Sequence, residues 1–165
     1  MKKFEGLSPL YKALKRGIYD LTGVEDVNWF HGYENIVLRE QGIFIDFPDE
    51  ILFEKITKSM KRAPVRIRLH VYTKVIRDVD GYVPHEQAEA HDTFALMVRD
   101  QLDNKGLFEA EGDFYAADFD NEDFFISNPQ AQQLCRALSF TGWRYYHYFE
   151  GQMVTFVEFT TEVEA

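Results

Sequence analysis

Five histidines, one cysteine and 28 acidic residues are the side chains through which this 165-residue chain could do chemistry. His85 and His91 stand six apart in a stretch that reads as helix, so they fall on different faces. The zinc-hydrolase pattern, two histidines four apart with a glutamate between them, is absent. His31, His70 and His147 each stand alone and read as packed or hydrogen-bonding residues, not ligands. Asp118, Asp120, Asn121 and Asp123 place oxygen donors close together. An EF-hand loop counted from Asp118 would need glycine and glutamate where the chain has Asp123 and Pro129, so a solvated acidic loop is expected. Cys135 lies in no thiol-nucleophile signature, and a lone cysteine leaves no intrachain disulfide, so a buried apolar role is expected. No glycine-rich phosphate loop follows a strand, and no G-x-S-x-G elbow is present. No catalytic residue, cofactor or metal is expected.

One arrangement does call for a partner. In the stretch A-P-V-R-I-R-L-H-V-Y-T-K-V-I from Ala63 to Ile76, Val65, Ile67, Leu69, Val71, Thr73 and Val75 fall on one side of an extended chain. Arg66, Arg68, His70, Tyr72 and Lys74 fall on the other. Alternation of this length requires a period of two, so the stretch is expected to be a long central antiparallel strand with one side on a core. The basic strip is expected to face outward. It reads either as a solvated sheet face or as one half of an electrostatic contact. The other half would be the acidic segment 109–123, with Asp118, Asp120 and Asp123, in the same subunit or a neighbour.

The elements that would position these residues follow from spacing and punctuation. Ser8-Pro9 suits a helix start, with Ser8 as cap and proline in the first turn. Leu10, Leu14, Ile18 and Leu21 then recur at helical spacing, and Gly23 suits a left-handed stop, which predicts an amphipathic helix over 9–22. Val27–Phe30 reads as a short strand or turn, and Ile36–Arg39 and Gly42–Phe47 read as strands, the second stopped by Pro48. Residues 48–62 read either as a short helix or as a strand and loop feeding the central strand. Their mix of Ile51, Phe53 and Ile56 with Lys and Glu suits an exposed excursion of a hairpin, with Pro64 marking the entry into that strand. After a turn at Asp78–Val83, Pro84 opens a second amphipathic helix. Its buried stripe is Ala88, His91, Phe94, Ala95, Val98 and Leu102, and Gly106 is expected to end it. Residues 108–128 are acidic yet rich in Phe and Tyr, too aromatic for disorder, and are expected to lie over the core as an ordered loop or irregular strand. Residues 130–138 fit helix or strand. Trp143–Phe149 and Gln152–Val163 flank Glu150-Gly151 as a hairpin.

Length and composition bound the rest. A chain of 165 residues with 45% hydrophobic residues suits one domain spanning 1–165 with a real core. The fold class expected is α+β, a mainly antiparallel twisted sheet with two amphipathic helices packed on one face. A net charge of −10 argues against a sequence-specific or general nucleic-acid binder and against an anionic membrane surface. No segment reads as a signal peptide or membrane span, so a soluble, cytoplasmic protein is expected.

The order of elements and four motifs resemble the tail terminator (tail completion, or minor tail) proteins of long-tailed bacteriophages and prophages. The motifs are G-I-F-I-D-F-P at 42–48, V-R-I-R-L-H-V-Y-T at 65–73, H-D-T-F-A-L-M-V-R-D-Q-L at 91–102 and M-V-T-F-V-E-F at 153–159. The acidic aromatic insert at about 108–128 and W-R-Y-Y-H-Y-F at 143–149 depart from the pattern. The resemblance implies a non-enzymatic assembly role: a homo-oligomeric ring, typically a hexamer, that caps the tail tube and joins it to the head. Its implied partners are itself, the tail tube protein and the head–tail connector, and its implied locations are the host bacterial cytoplasm during assembly and then the virion tail. An acidic surface would also suit a lumen that DNA passes without sticking. Two other classes stay open: a small α+β enzyme or ligand-binding domain, and a monomeric acidic adaptor.

Overall fold

The computed structural model describes residues 1–32, 40–146 and 151–165. The strand expected at Ile36–Arg39, His147 and the Glu150 half of the expected turn lie outside these residues. In chain order the elements are α1 (Ser8–Thr22), β1 (Val27–Trp29), β2 (Gln41–Asp46), β3 (Glu54–Lys55), β4 (Lys61–Lys74) and α2 (His85–Leu102). They continue with β5 (Lys105–Ala110), β6 (Asp113–Asp118), α3 (Glu122–Ser127), β7 (Gln132–Gln133), β8 (Ser139–Tyr146) and β9 (Gln152–Glu164). The fold is α+β. Among the described residues no helix is long and apolar enough to cross a membrane.

The alternating stretch forms β4, which pairs antiparallel with β2 on one side and with β9 along its whole length on the other. Among the described residues the main sheet runs β1-β2-β4-β9-β8, with β3 against the start of β4; β1 pairs parallel with β2 and the other strand pairs are antiparallel. Register places Ile43 opposite Val71, Ile45 opposite Leu69, Phe159 opposite Ile67 and Val157 opposite Leu69. Directly opposed residues share a face. This apolar face receives Leu10, Ala13, Leu14 and Ile18 from α1 and Ala95, Val98 and Leu102 from α2, so both amphipathic helices cover the same side of the sheet.

The helix ends repay comparison with their sequence signals. Gly23 is left-handed at φ 75° and donates its N–H to the Tyr19 carbonyl at 2.9 Å, closing α1 as the punctuation predicts. Ser8 does not cap: it is the first helical residue, and no side chain caps the helix behind it. Gly106 does not end α2 either. The helix stops at Leu102, and Asn104 makes the reversal at φ 65°. Gly106 lies in β5, where a β-carbon would overlap the Phe108 ring at 2.8 Å. Residues 130–138 hold only the two-residue β7, and their apolar side chains Leu134, Cys135 and Leu138 are buried from loop backbone. Burial pushes the Cys135 thiol up to about 11, as an inert core cysteine requires.

The acidic aromatic segment is more regular than an irregular strand. β5 and β6 form a hairpin around Glu111-Gly112, whose φ values of 51° and 86° make the two-residue turn that suits the strand twist. The hairpin lies against α1. Gly17 meets Ala116 there, the Arg16 guanidinium sits 4.1 Å from the Tyr115 ring centroid, and Lys12 lies 5.4 Å from that of Phe114. The rest of the aromatic excess is local, since Phe108 is surrounded by Phe119, Phe124 and Phe125 at centroid distances of 5.3–5.9 Å.

Candidate functional site

The polar strip of β4 was the strongest sequence candidate, and the structure shows what surrounds it. Alternation assigns Arg66, Arg68, His70, Tyr72 and Lys74 to the sheet face away from the helices, but this face is not bare. Phe44, Val154 and Phe156, with Phe30 beside them, form a second apolar cluster that includes Tyr72. His70 is only 2% exposed and Tyr72 only 1%. The expectation that these two side chains face outward is therefore corrected: the neighbouring strands β2 and β9 contribute rings to the same face. The imidazole of His70 stacks on Phe30 at 4.1 Å and lies 4.5 Å from Phe156.

Among the described residues every basic or polar member of the strip except Lys74 meets a carboxylate of its own chain. Arg68 Nε donates to Glu158 Oε1 at 2.9 Å, across the registered β4–β9 pair, and its guanidinium lies 4.9 Å from the Phe156 ring centroid. Arg66 reaches Asp49 at 3.2 Å and Glu158 at 3.8 Å. His70 Nε2 lies 2.9 Å from Asp46 Oδ2, and the Tyr72 hydroxyl donates to Asp26. Burial holds His70 below its ordinary value against the pull of Asp46, which favours the neutral ring. Arg66 and Arg68 thus meet Asp49 and Glu158, His70 and Tyr72 meet Asp46 and Asp26, and on the same face Arg62 pairs with Glu164 at 3.3 Å and Arg144 stands opposite Phe156. The strip is a compensated cross-strand ladder and not a positive patch. Arg66 and Arg68 replaced by glutamate would face Glu158 and Asp49, which loads the fold itself as well as any partner surface.

The acidic residues expected to answer the strip sit elsewhere. Asp118 ends β6 and binds Lys105 at 2.7 Å. Asp120 and Asp123 are exposed around the start of α3. Among the described residues no ion pair joins any of the three to the strip.

His91 and His85 take up different roles. His91 is 2% exposed, with Nδ1 2.7 Å from Thr73 Oγ1 and Nε2 2.8 Å from Thr155 Oγ1, a polar pin between α2, β4 and β9. His85 is exposed on the helix surface, 3.5 Å from Glu89. Among the described residues no three His, Cys, Asp or Glu side chains are placed to hold a metal ion. A histidine bonded to aspartate is half of an acid–base couple, but at His70 rings on either side close the approach. The chemistry this geometry provides is fixing of register.

Asp26, Asp46 and Asp49 were not singled out by sequence reasoning. Alternation in the closing strand does put Glu158, Thr160 and Glu162 on one face with Val154 and Phe156, but only the pairing of that strand with β4 sets Glu158 against Arg68. No protein-family model matches the chain, and no curated protein matches its sequence.

Proposed function

We propose that this protein is a structural component of a long-tailed phage or prophage, assembling as a homo-oligomeric ring that caps the tail tube and joins tail to head. The observation that carries the reading is architectural. A long antiparallel strand lies mid-sheet, two amphipathic helices cover one face, and a long closing strand completes the pairing, in the chain order that the resemblance implies. Side-chain display supports it as well. Large aromatic residues stand exposed, Trp143 and Tyr145 two apart on β8 and Tyr82 in the β4–α2 loop. Neighbouring exposed aromatics such as Trp143 and Tyr145 suit an interaction surface. Among the described strands β8 is an edge, and an eight-residue edge with exposed aromatics is suited to continue pairing across a subunit boundary.

The test is functional capping. Purified protein added to polymerising tail tubes of the cognate phage is expected to stop elongation and to add a ring of density at tube ends in electron micrographs. Unchanged elongation with bare ends would overturn the reading.

A further inference from the structure

We propose that copies of this chain join head to tail, the lysine-rich β3–β4 turn of one copy seating on the acidic α3 segment of the next. The inference rests on the ring reading above and names the contact that would build the ring.

The β3–β4 turn is an anomaly in a protein of net charge −10. Lys55, Lys58 and Lys61 are all exposed, and none makes an ion pair among the described residues. Lys55 and Lys61 stand directly opposite each other across the strand pair. Like charges so placed repel, a local cost that an incoming carboxylate relieves. The turn is nevertheless built. Ile56 donates its N–H to the Met60 carbonyl at 2.9 Å, and Lys61 and Ala165 exchange backbone hydrogen bonds at 2.9 Å each. Ile56, 49% exposed, stands between Lys55 and Lys58, and Leu52, 67% exposed, precedes β3.

The α3 segment has the same design in the opposite sign. Asp120, Glu122 and Asp123 are exposed and make no ion pair among the described residues, while Phe119 and Ile126 are displayed, Ile126 at 76%. The segment is rigidly held. The Asn121 side chain accepts from the Phe124 N–H at 3.0 Å, the Asn128 side chain donates to the Phe124 carbonyl at 3.0 Å, and Phe124 and Phe125 pack on Phe108. Each patch therefore joins displayed apolar groups to a cluster of like charge, with Glu54 of β3 standing opposite Arg62 at the margin of the lysines, the make-up of an interface with a charged rim. Charge complementarity selects a second copy as the occupant. Within one chain the two patches form no ion pair with each other among the described residues. Two different complementary patches on one molecule make a heterologous contact, which closes into a ring when the rotation between copies allows.

Sedimentation velocity at low salt tests this with four proteins: the wild type, Lys55→Glu/Lys58→Glu/Lys61→Glu, Asp120→Lys/Glu122→Lys/Asp123→Lys, and the variant carrying all six changes. Wild type is expected to assemble. Each triple variant should weaken association on the order of a hundredfold, and the six-site variant should recover it. Melting curves check that these exposed positions leave the fold intact. Wild-type assembly should also weaken as salt rises, a readout that needs no variant. A triple variant that assembles like wild type, a six-site variant that stays dissociated, or salt-independent assembly would overturn the contact and leave the ring reading standing. A wild type that is monomeric throughout would overturn both.

Discussion

Gly17→Ala is expected to destabilise the protein by about 1–3 kcal/mol, although alanine is the better helix former. Propensity alone predicts a gain of about 0.5–1 kcal/mol for this exchange in a helix interior. Packing opposes it. Gly17 is buried in α1 where β6 crosses, and a β-carbon there would overlap the β-carbon of Ala116. Neither atom is the end of a flexible side chain, so the hairpin or the helix has to shift. In a chain of this size each kcal/mol moves the thermal midpoint by about 2–4 °C. The partner substitution makes the argument specific. Gly17→Ala with Ala116→Gly exchanges which side supplies the methyl group, and the pair is expected to recover most of the loss. A thermal or urea double-mutant cycle reads the coupling directly. A neutral or stabilising Gly17→Ala would contradict the close approach that seats the hairpin on α1.

His91→Ala is expected to cost more, about 2–4 kcal/mol, through a cavity and two unmade hydrogen bonds. In the neutral ring one nitrogen accepts from a threonine hydroxyl and the other donates to one, so Thr73 and Thr155 are both satisfied by a single side chain. Burial lowers the ring to about 4, against the opposing charge of Asp92. The unfolded value is about 6.5. Between these values the unfolded chain binds a proton that the folded one does not. Stability therefore falls as pH drops from about 6.5 to about 4, by on the order of 3 kcal/mol from this residue. His70, lowered by its own burial, acts in the same direction. His91→Gln keeps hydrogen-bonding capacity without titrating, and urea unfolding from pH 7.5 to 4 should show a shallower acid-side decline. An unchanged acid limb would contradict the neutral pin.

The same two sites show how much was legible in the residues. The 14-residue β4, the stripe of α1 and the body of α2 could be read because burial on one side imposes a period on the sequence. His91 was legible as buried, since it occupies the α2 stripe. Its threonine partners were not, because a helix-to-sheet contact depends on crossing position. Alternation told which side of β4 holds Arg68, His70 and Tyr72, but a side is not an exposure. Phe44, Val154 and Phe156 come from other strands, so the cover over His70 is a tertiary fact. Gly17 and Gly106 were illegible for a related reason: each records the approach of another element or ring, and Gly106 stood where a helix-stopping glycine would also stand. The β5–β6 hairpin was missed because apolar rings crowd both its faces and blur the period of two, although Gly112 in its turn was a readable signal.

The central claim is that this sheet-and-helix platform works by binding copies of itself. Native mass and sedimentation equilibrium of the purified chain, over a wide concentration range at low salt, test it most directly. A single closed oligomer of fixed stoichiometry, without larger species as concentration rises, is the predicted result. A species that remains one chain at every concentration would contradict it.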